Sequence, residues 1–228
     1  MHCLLCGDHT RIDVSWGQLL RLPNRRALCD ICQQNMPFIR GNRCSGCSRP
    51  LHKDRLCRDC IWWENRPNPS YHWNYSIYMY DEFMKNVMTL WKYRSDYVLA
   101  DIFKDDWREH FIKKFSFLNR HETLIVPIPL SDERMKQRGF NQAQVLADFL
   151  PYPSQHDALT RLDAEKQAKK SRSERLLRQN PFQLMKPIKK TVILVDDIYT
   201  TGTTIRQAAS VLNQSGCQQI YAYTLIRG

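Results

Sequence analysis

Four apolar residues, Val192-Ile-Leu-Val195, run directly into Asp196 and Asp197 and then into Ile198-Tyr-Thr-Thr-Gly-Thr-Thr204. A run apolar at every position is buried on both faces, which places it inside a parallel sheet covered by helices. Residues 203–213 read as a helix, so the segment is a strand, a tight turn and a helix N-terminus. Open parallel sheets bind ligands beyond the carboxyl ends of their strands. Free amide N–H groups and the positive helix end suit a phosphate there. Gly202 lets the backbone approach closely, and the hydroxyls of Thr200, Thr201, Thr203 and Thr204 add donors. Adjacent carboxylates repel each other unless a ligand rewards both. Sugar hydroxyls and magnesium do so. The bland alternative is an ordinary strand–turn–helix with an incidental Asp pair.

The same alternation of elements recurs upstream. Residues 75–80 alternate polar and aromatic like a strand, 123–129 form a short apolar run ended by prolines, and 219–226 form a further strand. Helices are expected after Asp81, with Phe83, Val87, Leu90 and Trp91 on one side, and over about 98–118, with Ile102, Phe103, Trp107, Phe111 and Phe115 as core contacts. A third starts at Asn141 with Ala143, Leu146, Ala147 and Leu150. Between strand and helix, 130–139 reads as a loop carrying Arg134, Lys136 and Arg138. Strands alternating with helices give an α/β class with a parallel sheet.

Eight of nine cysteines form Cys-x-x-Cys pairs: Cys3/Cys6, Cys29/Cys32, Cys44/Cys47 and Cys57/Cys60. Each pair aims two thiolates at one ion, and two pairs complete the tetrahedron that zinc prefers. Two partitions fit. The sequential one joins Cys3, Cys6, Cys29 and Cys32, then Cys44, Cys47, Cys57 and Cys60; the cross-braced one shares an ion between the first and third pairs. Both centres are expected to be structural, since four thiolates leave no open position for a catalytic water. Residues 1–62 therefore read as a double zinc-ribbon module, 61–74 as a linker and 75–228 as the main domain. Cys217 reads as a small buried residue. The N-terminus Met1-His-Cys-Leu-Leu-Cys6 lacks the apolar stretch of a signal peptide, so the expected location is cytoplasmic.

The formal net charge is +11, which favours an anionic partner. Each zinc with four thiolates carries about −2, so two centres lower the figure to about +7. Ten basic residues face three acidic ones across 161–190. This segment reads as a mobile loop followed by a short helix, and Lys169, Lys170, Arg172 and Arg175 are its candidate nucleic-acid contacts. Arg40, Arg43, Arg49, Lys53, Arg55 and Arg58 surround the second cysteine centre, either as phosphate contacts or as a solvated face.

The string 192–204 resembles the phosphoribosyl-diphosphate (PRPP) signature of type I phosphoribosyltransferases. Tyr199 stands where that family more often has an aliphatic residue, a change expected to alter packing over the ribose. Val126-Pro-Ile-Pro129, Arg138-Gly-Phe-Asn-Gln142, Arg175 and Asn180, behind an N-terminal zinc module, are similar to the ComF family of competence proteins. The resemblance implies a type I phosphoribosyltransferase-like parallel sheet with flanking helices plus a small N-terminal zinc-ribbon module with four cysteines per ion. It implies that Asp196 and Asp197 contact ribose hydroxyls and that Thr200 to Thr204, with Gly202, hold the 5-phosphate. Arg134, Arg138 and Asn141 would face the diphosphate, with Arg138 and Asn141 alternatively serving as a structural loop clamp. Mg²⁺ would accompany PRPP, and the basic loop of 161–178 would close over it. The implied role is natural transformation: handling of single-stranded DNA beside a ComFA-like DEAD-box translocase, at the inner face of the membrane with the uptake machinery. Active phosphoribosyl transfer from PRPP to an unknown acceptor is the alternative, and a docking protein built around the ribbons a third reading.

Overall fold

The computed structural model describes residues 2–10, 27–52, 55–65, 71–93, 97–162 and 180–228. Six strands are found among them: β1 Asn74–Met79, β2 Thr123–Pro127, β3 Leu159–Arg161, β4 Phe182–Leu184, β5 Thr191–Tyr199 and β6 Ile220–Arg227. Four form a parallel sheet in the order β1-β6-β5-β2, and β3 pairs with β4 in a separate antiparallel ladder. The helices are α1 Asp30–Gln34, α2 Arg58–Glu64, α3 Glu82–Tyr93, α4 Asp101–Phe115, α5 Asp132–Arg138, α6 Gln142–Asp148 and α7 Thr203–Gln214.

Side chains alternate across the sheet and feed two cores, one on each face. Ile193, Val195, Tyr223 and Leu225 pack with α3, α4 and α6. Val192, Leu194, Ile220 and Ala222 pack with α7 and the β3–β4 ladder. In α4, Phe103, Trp107, Phe111 and Phe115 recur every four residues and are fully buried. Trp107 stacks on Tyr223 at 3.7 Å between ring centroids, and Tyr223 donates to the Trp107 carbonyl. In α7, Ile205, Ala208, Ala209 and Leu212 make the buried stripe, and the two alanines let the helix lie close to β5.

Five local expectations change. The strand at 191–195 continues to Tyr199, because Asp196, Ile198 and Tyr199 keep pairing with Thr224, Ile226 and Arg227 of β6. The acidic pair therefore sits on a strand, not beyond it. The expected loop 130–139 contains α5, which Ser131 caps through its hydroxyl and Gly139 ends at φ 75°. The expected linker 61–74 is occupied through Glu64 by α2, and Tyr71 is 4 % exposed. The helix at 98–118 is a 3-10 turn, Tyr97–Ala100, followed by α4. The expected short helix after residue 175 begins outside the described residues, and the part that is described forms β4.

The cysteine module is sewn onto the sheet. Ile39 N–H donates to the Ile77 carbonyl and Met79 N–H to the Pro37 carbonyl, each at 2.8 Å, so residues 37–39 cover the edge of β1. Covering an edge strand removes its unpaired backbone groups from solvent. Arg43 reaches the carbonyls of Ile39 and Ser76, and Arg49 pairs with Asp59. Arg43 thus ties the module to β1 and Arg49 serves the module's own structure, so neither offers a free phosphate-binding face. Lys53 lies outside the described residues.

Candidate functional site

The eight paired cysteines gather in sequence order. Cys3, Cys6, Cys29 and Cys32 form one group and Cys44, Cys47, Cys57 and Cys60 the other, with the sulfurs of each within 4.8 Å of one another. Sγ–Sγ distances of 3.6 Å occur in both, Cys6 to Cys29 and Cys47 to Cys57. Four sulfurs at about 2.3 Å from a zinc ion lie about 3.8 Å apart. The donor set and its spacing thus fit zinc, in the sequential partition, and four thiolates per ion make both centres structural. In the second centre all four cysteines are buried, whereas Cys6 of the first is exposed. Ser48 closes the knuckle after Cys47 at φ 62°, and its hydroxyl donates to the Asn74 carbonyl at 3.0 Å, tying the knuckle to β1. Cys217 is buried, with its thiol 3.0 Å from the Lys190 carbonyl.

A polar cleft opens at the carboxyl ends of β2 and β5. Its lining includes Asp196, Asp197 and Thr204, with Arg134, Arg138, Asn141, Arg161 and Lys92. Helix α5 sets the first two arginines four residues apart, hence on one helical face. Asn141 Oδ1 caps α6 by accepting from Ala143 N–H, and Nδ2 donates to the Ile128 carbonyl, both at 3.0 Å. Asn141 is 3 % exposed, so it clamps the turn between β2 and α6 rather than offering a free amide. Arg138 donates to Gln142 Oε1 at 3.0 Å. Gln142 is 1 % exposed, lines the cleft, and its Nε2 has no hydrogen-bond partner. A buried donor left unpaired is costly. A ligand oxygen would satisfy it.

Two cleft cations escape sequence reasoning. Lys92, in the last turn of α3, places Nζ 2.6 Å from Asp197 Oδ2, with both side chains largely buried. Nothing local in the sequence ties a residue so far upstream to the acidic pair. Arg161, at the end of β3, stands out in the sequence only as one charge in a basic run. Burial and then the like charge of Arg134 hold its guanidinium below its usual range. Burial, and next the neighbouring Asp197, push Asp196 up to about 8. At neutral pH the cleft therefore carries the cations Lys92, Arg134, Arg138 and Arg161 against roughly one carboxylate charge, the character of an anion site.

The threonine loop is only partly in the cleft. Thr204 lines it, while Thr200, Thr201 and Thr203 lie exposed at its rim. Thr201 and Thr203 hydroxyls bond each other at 2.9 Å. Gly202 has φ 82° and directly overlies Tyr199; a Cβ there would meet the Tyr199 hydroxyl and ring. Tyr199 is 2 % exposed and bonded to Tyr71, so it supports the loop from behind and does not pack over a ribose. Asn180 Nδ2 donates to the Gln207 carbonyl and its Oδ1 accepts from Phe182 N–H, fastening β4 to α7. Lys169, Lys170, Arg172 and Arg175, the nucleic-acid candidates, lie outside the described residues, as does most of the expected closing loop.

Residues 104–228 match the model described as Phosphoribosyl transferase domain, and 1–61 the Double zinc ribbon domain. Competence protein ComFC of Bacillus subtilis (strain 168) is 39 % identical over 230 residues, spanning 99 % of this chain and 94 % of that protein. Competence protein ComFC of Streptococcus pneumoniae is 31 % identical over the full length of both. DNA utilization protein YhgH of Escherichia coli (strain K12) is 30 % identical over 110 residues, 45 % of this chain and 48 % of that protein. Among the described residues, no helix is long and apolar enough to cross a membrane. Both Lys92 and the cysteine centres fall before the phosphoribosyl transferase match.

Proposed function

Because the chain belongs to the ComFC family of competence proteins and carries a phosphoribosyl transferase domain behind a double zinc ribbon, we propose that it acts in natural transformation by binding PRPP or a related phosphoribosyl ligand in the cleft while its basic surface handles single-stranded DNA. The observation that supports this most is the cleft itself: Lys92, Arg134, Arg138 and Arg161 converge on Asp196 and Asp197 beside an unsatisfied Gln142 amide. The arginines and Lys92 suit a diphosphate, the acidic pair suits ribose hydroxyls, and the loop ending at Thr204 suits the 5-phosphate. Mg²⁺ would arrive with the diphosphate, since Lys92 already occupies one oxygen of Asp197. No aromatic ring lines the cleft among the described residues, so we favour a binding role over transfer to a base. The DNA role would be exercised beside a ComFA-like translocase at the cytoplasmic face of the uptake machinery.

The protonated state of Asp196 gives the proposal a pH signature. Diphosphate without metal should bind the zinc-loaded protein more weakly at about pH 9 than at about pH 7, by up to about tenfold, because ionised Asp196 adds a repelling charge. Diphosphate itself gains negative charge over that range, so weakening must come from the protein. Binding that strengthens throughout would contradict the assignment. The same raised value acts on folding with a defined sign. The unfolded carboxyl releases its proton near about 3.9, so this group lowers ligand-free stability as pH rises from there to about 8.

The DNA arm is tested by salt. With about five phosphates neutralised, log K against log salt for single-stranded DNA should fall with slope about −3.5. A slope near zero would remove the basic-surface component while leaving the cleft untouched.

A further inference from the structure

We infer that the second cysteine centre, with zinc bound, braces the phosphate loop through Arg227, Tyr199 and Trp63, which makes these three positioning residues for the ligand site. The inference deepens the proposed reading of Thr200–Thr204 as the 5-phosphate loop and rests on it for its functional meaning. Three connections carry it. First, Trp63 lies three residues after Cys60 on α2, and its indole Nε1 donates to the Thr201 carbonyl at 2.9 Å. Second, the Arg206 guanidinium, in the first turn of α7, sits 4.7 Å from the Trp63 ring centroid and 4.9 Å from that of Tyr71. The start of the helix is thereby packed against module residues and the segment that follows them. Third, Tyr71 holds the Tyr199 hydroxyl at 2.5 Å, directly beneath Gly202.

Arg227 closes the circuit to the metal ligands. It is 3 % exposed at the end of β6. Its Nη1 donates to the Tyr199 carbonyl at 3.2 Å, its Nη2 to Cys47 Sγ at 3.5 Å, and its guanidinium lies 5.1 Å from the Tyr199 ring centroid. A buried cation needs an anionic partner. Zinc with four thiolates keeps a fixed negative charge on sulfur, and Cys47 supplies it. The other anionic group in reach, the Asp59 carboxylate, is 3.9 Å away and already bonded to Arg49. Removing the zinc releases Cys47 from its fixed place and loosens the contact that holds Arg227 against the back of Tyr199. Breaking one side of a buried pair is strongly destabilising, and here the strain falls on the strand end that leads into the loop.

The two centres should then differ. The second belongs to the core that holds Tyr199, Ile205 and Ala208. The first belongs to the opposite core with Trp107 and Tyr223, and its α1 reaches α4 through Gln33 and Asp106.

The test uses the zinc-loaded full chain and follows amide exchange across 198–206, with ribose 5-phosphate binding by calorimetry alongside. Trp63→Phe keeps a ring against Arg206 and removes only the donor to Thr201, so it does not threaten the fold. It should speed exchange in 198–206 and weaken ribose 5-phosphate binding about 3- to 10-fold, the loss of one hydrogen bond, with zinc content and melting unchanged. Cys47→Ser should have a larger effect on both readouts; Cys6→Ser, which lowers zinc content through the first centre, should leave exchange in 198–206 and binding within about twofold. Unchanged exchange in Trp63→Phe, or equal loosening by Cys6→Ser and Cys47→Ser, would overturn the inference. If the wild-type protein binds no ribose 5-phosphate, the ligand reading fails, and the exchange data still judge the brace.

Discussion

Gly202→Ala is expected to lower the melting temperature by roughly 5–15 °C and to abolish measurable phosphate binding. Two costs add. An alanine at φ 82° incurs the left-handed penalty of about 1–2 kcal/mol. Its Cβ would also collide with the Tyr199 hydroxyl, which is fixed by Tyr71 and cannot swing aside. Overpacking of this kind costs about 1–3 kcal/mol. Adding Tyr199→Leu should restore the overpacking part and leave the backbone part. Calorimetric melting of the single and double variants resolves the two. A fully stable Gly202→Ala protein would mean that Tyr199 does not press on the loop.

Asp197→Asn is expected to destabilise the ligand-free protein by about 2–4 kcal/mol, because it leaves the Lys92 ammonium mostly buried with its partner neutralised. Adding Lys92→Met removes the orphaned charge and should recover most of that loss. It should not recover ligand binding, because one member of the acidic pair and one cation are then gone. Denaturant melts and PRPP titrations on the two variants separate stability from recognition. If the double variant binds PRPP like the wild type, neither residue touches the ligand. If it stays as unstable as Asp197→Asn, the ion pair is not what holds the two groups.

Much of this was legible because the signals are local. Apolar continuity marked β5, four-residue spacing marked α4, and four Cys-x-x-Cys pairs marked two metal sites, with the sequential partition the simpler of two. The loop 200–204 was legible as a turn into a helix for the same reason. What stayed hidden depends on tertiary contact. Lys92 joins Asp197 only through the packing of α3 over the cleft. The extension of β5 to Tyr199 depends on the partner strand β6, which no local pattern reports. Helix α5 was obscured because its charged face has no apolar stripe; its cap, Ser131, and its stop, Gly139, were the available signals. Tyr199 reads in sequence only as a departure from the family's usual aliphatic residue, with altered packing over the ribose as the expectation. Its partners, Tyr71 and Arg227, lie 128 and 28 residues away in sequence, one of them just past the module.

The most direct test of the central claim is calorimetric titration of PRPP with Mg²⁺ into the zinc-loaded protein, set beside the Asp196→Asn/Asp197→Asn variant with its zinc content verified. The account predicts saturable one-to-one binding to the wild type, tighter for PRPP than for ribose 5-phosphate or diphosphate alone, and loss of at least about tenfold in the variant, one ionised ligand-facing carboxylate at about 1.5 kcal/mol or more. Equal binding by both proteins, or none by the wild type, would contradict it.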